Sequence, residues 1–416
     1  MLVGLCCQHN FTNFGLLMNP ISNPYMPGAG LPPPVLAGRE ALRERVRIGM
    51  ARLRVGRSAK SVLMVGLHGV GKTVLLEQMR LDAEGEGVHT LWIDDPEQRS
   101  LPPVLAPQLR LVLLHLSQIE AAQDTAQRAL SALAGFTQAL EGPLNDRLID
   151  LDFDTEAAGL AEHGHLEGGF TTLLEHAGLA AKQASSALVL FIDEFHCIEA
   201  AQLSGLIVVL QRCAQSRLPI MVVGAGLPQL RARVGNAKAY AERLFDYPAI
   251  GPLSEVEAAQ AIVQPAAEEG VAFDAEAVDL IVEKTRGYPF FLQAWASHAW
   301  DAASTSPISL ADVERAWTPA IVSLDERFFR AYFDRLTPTE KQYLRAMADL
   351  GPGPHRSGEI ADRRGRRVQA VAPLRNGLIG KGMIWSPGHG DTAFTVPFFD
   401  EFMQRIMPCD DRRVVS

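Results

Sequence analysis

Apolar residues fall into two patterns along this chain: short unbroken runs, and longer stretches in which they recur every three or four positions. Residues 61–65 (Ser-Val-Leu-Met-Val), 90–93, 188–192 and 220–223 are unbroken β-prone runs. A continuous run of this length fits a strand covered on both faces, as in a parallel sheet. Between the runs the spacing turns helical. Residues 39–55 place Leu42, Val46, Met50 and Leu53 on one face, and a helix beginning within Gly71-Lys72-Thr73 carries Val74, Leu75 and Met79 towards the strands. Residues 101–184 hold no strand-like run; 113–140, rich in Ala, Leu and Gln, reads as mostly helix, with a polar break near Gly142-Pro143. Strands alternating with helices predict βαβ units and a doubly wound parallel α/β sheet.

From residue 254 onward the pattern is helical, over 255–268, 274–285, 290–302 and 309–336. Thr337-Pro338-Thr339-Glu340 is a capping box with proline at the first helical position, and it opens a separate tail. Residues 341–350, 357–364 and 366–378 predict three short helices. Residues 383–396 predict a hairpin turning at Pro387-Gly388-His389-Gly390. The proline-rich residues 19–34 predict an extended approach. The division expected is therefore 1–33 extended or disordered, 34–252 an α/β core, 253–335 a helical lid and linker, 336–408 the tail domain and 409–416 a terminal extension.

Composition narrows the class. With 416 residues, 47% hydrophobic and 21% charged, the chain can bury two or three cores. Net charge is −9 over the chain, yet residues 336–416 hold 12 Lys+Arg against 9 Asp+Glu, a balance of +3 that leaves −12 elsewhere. A basic tail on an acidic body points to nucleic acid at one end only. Five cysteines (Cys6, Cys7, Cys197, Cys213, Cys409) show neither disulfide nor zinc spacing, so a reducing, cytoplasmic setting is expected. No apolar run reaches the length of a membrane span. Residues 1–17 are apolar without a basic start, so they do not read as a signal peptide, and Met18 is an alternative start.

The chemistry is concentrated in two places. Residues 66–73, Gly-Leu-His-Gly-Val-Gly-Lys-Thr, have the spacing G-x4-G-K-T between an apolar strand and a periodic helix. Glycines there let consecutive N–H groups turn towards oxyanions, Lys72 offers a charge to the β- and γ-phosphates of ATP, and Thr73 offers a hydroxyl to Mg²⁺. Gly66, His68, Gly69, Val70, Gly71, Lys72, Thr73 and Val74 are the expected nucleotide contacts. Leu188-Val189-Leu190-Phe191-Ile192 then ends in Asp193-Glu194. Asp193 can hold the magnesium, and Glu194 can orient and deprotonate the attacking water. His68, His196 and His389 lack metal-ligand spacing and read as loop or core residues.

The two motifs in this order resemble the AAA+ P-loop ATPases, nearest to the initiator-type (origin-recognition-like) and archaeal-type groups, over residues 34–302. The resemblance implies a five-stranded P-loop NTPase sheet, an all-α lid, a winged-helix tail and ATP hydrolysis. Leu36-Ala37-Gly38-Arg39-Glu40 looks like the short motif beside the adenine, which would make Val35, Leu36 and Arg39 contacts to the base edge. Arg243 stands where such proteins carry an arginine finger for a neighbour's ATP, in a homo-oligomer, or is a solvated helix residue. Two positions depart from the family. Val223-Gly224-Ala225-Gly226-Leu227 has no polar sensor-1 residue, and in the lid Phe290, after Gly287-Tyr288-Pro289, replaces the sensor-2 arginine. Both departures imply slow hydrolysis.

Arg363, Arg364, Arg366, Arg367, Arg375 and Lys381 cluster around the second and third tail helices. Arginines at the start of a recognition helix pair with phosphates or guanine edges, so double-stranded DNA is the expected partner. The alternative is a nucleotide-gated signalling or scaffold ATPase of the STAND kind, whose tail binds protein. In neither reading is a membrane involved.

Overall fold

The computed structural model describes residues 18–28, 30–94, 101–141 and 166–408. The start at residues 1–17, Asp95-Pro96, the Gly142-Pro143 break, Cys6, Cys7, Cys409 and the terminal extension lie outside them. The chain divides into two compact units, residues 39–251 with 332–416, and residues 1–38 with 252–331.

The larger unit begins with α1 (Glu40–Arg54), β1 (Ser61–Val65), α2 (Lys72–Gly85) and β2 (His89–Ile93). The helices α3 (Leu101–Leu116), α4 (Gln123–Glu141) and α5 (Leu166–Gln183) precede β3 (Leu188–Ile192). Then come α6 (Ala200–Gln215), β4 (Ile220–Gly226), α7 (Leu230–Ala237) and β5 (Phe245–Asp246). The five strands are parallel in the order β2-β3-β4-β1-β5. All five residues of β3 are buried, as its unbroken apolar run requires. Leu190, Ile192, Leu63 and Leu91 join the α3–α6 side chains in one apolar cluster, and each such residue contributes roughly 1.5–3 kcal/mol by burial. Because β1 lies between β4 and β5 while the chain reaches β4 by way of β2 and β3, the carboxyl ends of β1 and β3 open onto one edge, where an open α/β sheet places its ligand.

The smaller unit contains α8 (Glu255–Glu268), α9 (Ala275–Thr285), α10 (Pro289–Ala302) and α11 (Leu310–Leu324). Ser254 with Glu257, and Ser309 with Asp312, form capping boxes that start α8 and α11. Gly287, at φ 70°, lies so close to the Leu253 carbonyl that a Cβ would sit 2.4 Å from it, which explains glycine in the Gly-Tyr-Pro turn. Phe290 stacks on Phe328 with ring centroids 4.5 Å apart, so an aromatic cluster takes up the position where a lid arginine was expected. The proline-rich segment is packed rather than merely extended. Tyr25 is buried with its hydroxyl donating to the Ile262 carbonyl, Asn23 Nδ2 donates to Ser297 O and Asp301 Oδ1, and Trp300 Nε1 donates to Asn19 O.

A π-helical turn (Asp325–Phe329) and α12 (Arg330–Phe333) lead onward. The C-terminal part of the larger unit has α13 (Pro338–Ala348), β6 (His355–Arg356), α14 (Ser357–Arg363), α15 (Val368–Gly380), β7 (Ile384–Trp385), β8 (Asp391–Phe394) and α16 (Phe399–Ile406). Its three strands form an antiparallel sheet in the order β6-β8-β7. Tyr343, Leu344, Met347, Ile360, Leu378, Ile384, Phe399 and Phe402 supply its core. No helix among the described residues is long and apolar enough to cross a membrane.

Candidate nucleotide site

The loop after β1 is shaped by close backbone approach. A Cβ on Gly66 would lie 2.2 Å from the Ile250 carbonyl oxygen, and the Gly66 amide donates to Gly226 O at 3.1 Å. Only glycine fits there. Gly69 and Gly71 have φ of 75° and 85°, and a Cβ on Gly71 would meet no atom within 4 Å. The loop therefore turns around open space, and α2 begins at Lys72 with its first amides facing that space. Helix amino termini leave such N–H groups without intrahelical partners and carry partial positive charge, which suits a phosphate.

Lys72 is buried, and its Nζ donates to Gly66 O at 3.0 Å and Leu67 O at 2.8 Å, clasping the loop from within. Burial lowers its pKa, against the pull of Glu194 and Asp193. Asp193, at the end of β3, is also buried; its Oδ1 accepts the Glu194 amide at 2.9 Å, and the Thr73 hydroxyl lies near enough to its carboxylate to stabilise the charged form. Burial raises the Asp193 carboxyl above its usual range, with Thr73, the Glu194 amide and Lys72 opposing. Thr73 and Asp193 thus converge as two hard oxygen donors beside the loop, a donor set that fits magnesium. Val70 is buried against Gly66, and Val74 is half-buried in the first turn of α2.

Glu194 follows in the left-handed region, at φ 42° and ψ 40°. A side chain costs roughly 1–2 kcal/mol there, so the surroundings must hold it. Its Oε2 lies 3.2 Å from His196 Nδ1. His196 was read from sequence as a loop or core residue; the structure places it at the carboxylate. A signal was present in β4, because two glycines one residue apart in a buried strand mark a close neighbour. A Cβ on Gly224 would sit 2.8 Å from Phe195, and one on Gly226 would sit 3.3 Å from the His196 ring.

The remaining expected residues are more scattered. Arg39 donates from Nη2 to Gly251 O at 2.6 Å beside the start of α1. Val35 and Leu36 are half-buried in the smaller unit, where Gly38, at φ 68°, turns against the Glu257 carboxylate. Arg243 is exposed on a 3-10 turn before β5. His68 faces the C-terminal part: its amide donates to Thr395 O at 3.0 Å and its ring lies 5.3 Å from that of Tyr332. Tyr332 was not singled out from sequence; burial, then the Glu194 charge, push its hydroxyl up to about 12.

Burial, reinforced by Lys72, lowers His68 to about 3 and His196 to about 4. An unfolded imidazole takes its proton near pH 6.5, so between that value and about 4 the unfolded state binds more protons. Stability is then complete above pH 6.5 and lost as pH falls. Between pH 7 and 5.5 each imidazole is expected to remove about 1 kcal/mol. Asp193 acts in the opposite sense, but only in the carboxylate range. Thermal melting of the nucleotide-free protein should show the decline, with His68→Gln removing about half of it; a flat profile would contradict the two buried neutral imidazoles.

Residues 35–223 match the family described as AAA ATPase domain, and residues 326–403 match a domain of unknown function. No curated protein matches the chain. Among solved structures, the Walker-type ATPase PABY2304 of Pyrococcus abyssi is 13% identical, with a TM-score of 0.53 covering 89% of this chain and 96% of that one. The RuvB Holliday junction branch migration motor of Thermotoga maritima is 16% identical, with a TM-score of 0.42 over 88% and 96%. The Orc1 protein of Aeropyrum pernix, in complex with DNA, is 16% identical, with a TM-score of 0.42 over 90% and 94%. Likeness at these identities concerns the fold alone, and the first of the three bears on it. With the phosphate loop at the end of β1 and paired carboxylates at the end of β3, residues 35–223 form an AAA ATPase domain with a P-loop NTPase fold, that of an ATP hydrolase.

Proposed function

We propose that the chain hydrolyses ATP slowly and uses its nucleotide state to control the C-terminal domain, a winged helix-turn-helix that contacts duplex DNA. The observation that carries this reading is the seat of that domain on the phosphate loop, through the His68 amide and the Thr395 carbonyl. A loop that must wrap phosphates and also bonds a second domain couples the two equilibria, because a ligand shifts states in proportion to its differential affinity for them. Thr73 and Asp193 would hold Mg²⁺, which when bound neutralises phosphate charge. Lys72 and the α2 amides would bind the phosphates, and Glu194 would orient the water. Val35, Leu36 and Arg39 would meet the base, and Arg243 would serve a neighbouring protomer's site.

For DNA, α15 supports a narrower set of contacts than the six basic residues expected. Arg375 donates to Thr392 Oγ1, Ser386 Oγ and Asp391 O, and Lys381 pairs with Glu340 at 2.7 Å, so both bind the domain together. Arg363 reaches Asp349 at 3.3 Å and Arg364 reaches Gln342 at 3.4 Å. Arg366 and Arg367 are exposed at the amino end of α15 and are the contacts we favour. Duplex DNA binding by the full chain should weaken steeply with salt, by a log–log slope of about −0.9 per phosphate neutralised. Replacing Arg366 and Arg367 with alanine should reduce that slope by about 2. Absence of binding at low salt with ATP, ADP and no nucleotide would remove the DNA reading. The glycine-lined end of β4 and the seated C-terminal domain also favour the second reading, a nucleotide-gated ATPase of the STAND kind whose tail binds protein.

A further inference from the structure

Outside the tail the chain carries −12, but that charge is not spread evenly. The five strands of the large sheet are parallel, so the segments that enter them open on one edge, opposite the edge of the phosphate loop and Asp193-Glu194. Residues 51–60, 85–88, 181–187 and 212–219 lead into β1, β2, β3 and β4. Together they hold seven Lys or Arg against one acidic residue, Glu86, and all seven cations are exposed. This edge runs against the charge of the body it belongs to.

Little of that charge is neutralised nearby. Lys60 pairs with Asp246 at 3.4 Å and Arg212 with Glu175 at 2.7 Å. Among the described residues, Arg52, Arg54, Arg57, Lys182 and Arg217 make no ion pair. Backbone carbonyls fix two of them instead. Arg54 donates from Nη1 to Glu86 O at 3.1 Å and from Nε to Ser185 O at 3.4 Å, tying two entering segments together. Arg52 Nε donates to Ser58 O at 3.2 Å. A carbonyl holds a guanidinium in place without cancelling its charge.

Helix ends account for part of the pattern, because a cation in a last turn complements the helix dipole, as Arg52, Arg54 and Lys182 do. Arg57 and Arg217 lie beyond any last turn. Arg217 has a φ of 51°, a conformation that glycine takes freely and a side chain takes at a cost, so the local backbone does not explain an arginine there. The strands β1, β4, β3 and β2 are neighbours in that order, and their entries span three strand spacings, about 14 Å. One strand of a duplex presents about four phosphates over that length. Between α5 and α6 the edge is indented by a groove of about 440 Å³ whose lining includes Lys182, Arg212, His176 and Ser216.

We propose that the amino edge of the parallel sheet is a second surface for duplex DNA, holding the phosphate backbone independently of Arg366 and Arg367. Five of its seven cations are arginines, whose planar forks pair with phosphate oxygens. Contacts of this kind position a duplex without reading its sequence. A lipid surface fits less well. It calls for a continuous apolar helix face beside the cations, whereas the exposed Val55 and Leu179 stand on different elements.

Fluorescence anisotropy of a labelled DNA duplex, titrated with the full chain over a range of salt, tests the assignment. A chain carrying Arg366→Ala and Arg367→Ala should keep salt-sensitive binding. Adding Arg57→Ala, Lys182→Ala and Arg217→Ala should weaken that binding at least about tenfold and lower the log–log salt slope by about 2.7, at about 0.9 per phosphate contact. Exchanging the same three residues for the other cation, Arg57→Lys, Lys182→Arg and Arg217→Lys, should keep affinity within about threefold, since charge is what the backbone meets. Should the alanine variant not fold, Lys182→Glu alone should weaken binding at least about threefold. Unchanged affinity and slope overturn the proposal, and so does binding to phosphatidylserine vesicles in place of the duplex. If Arg366→Ala and Arg367→Ala by themselves abolish binding, the edge fails and the tail reading stands. If only the edge variants lose affinity, the edge stands and the tail reading fails.

Discussion

Replacing Lys72 with alanine is expected to weaken ATP binding at least about 100-fold, close to 2.7 kcal/mol. Two losses combine. The buried ammonium is the charge that would meet the β- and γ-phosphates, and removing one partner of a buried ion pair costs about 3–5 kcal/mol. The same group clasps Gly66 O and Leu67 O, so the loop also loses the bonds that hold its turn. Titration calorimetry of the full chain with ATP and magnesium measures the effect. A dissociation constant within threefold of wild type would mean that the loop does not hold the phosphates.

Glu194→Gln should separate binding from turnover. The amide keeps the size of the side chain and its place in the turn but cannot accept a proton, and loss of a positioned base reduces rates by about 10²–10⁴-fold. ATP affinity should change by less than about threefold, because Thr73, Asp193 and Lys72 are untouched. Bound nucleotide recovered after rapid desalting should then be ATP rather than ADP. Recovery of ADP at the wild-type rate would show that another group activates the water. The contrast with Lys72→Ala is diagnostic, since one variant loses the ligand and the other retains it unconverted.

Much of the architecture was legible because it depends on neighbours in sequence. The unbroken run Leu188–Ile192 is a fully buried strand, as a run with no polar face must be. Helix α8 begins at Glu255 because Ser254 and Glu257 cap each other's backbone, a signal three residues wide. Trp295, Trp300 and Phe291, at helical spacing within residues 290–302, are buried, as the apolar face of a lid helix must be. The tail helices and hairpin fell within two or three residues of their expected limits, the margin set by fraying at helix ends.

What sequence did not reveal shares a cause. Arg375 and Lys381 read as members of a basic cluster, and their partners Thr392 and Glu340 lie 17 and 41 residues away and meet them only after folding. The proline-rich approach gave no sign that Asn19, Asn23 and Tyr25 would bond residues more than 230 positions later.

The phosphate loop and the Asp193-Glu194 pair could be recognised from order alone, because glycine geometry, helix polarity and the reach of a lysine are properties of consecutive residues. The packing around Glu194 could not. It arises where Gly226 leaves room for His196, where Gly382 covers that ring, and where the His68 amide meets a carbonyl 327 residues further along. Each of those residues is chemically ordinary by itself. Packing brings them to one place, and packing is decided by the burial of whole elements rather than by any local pattern.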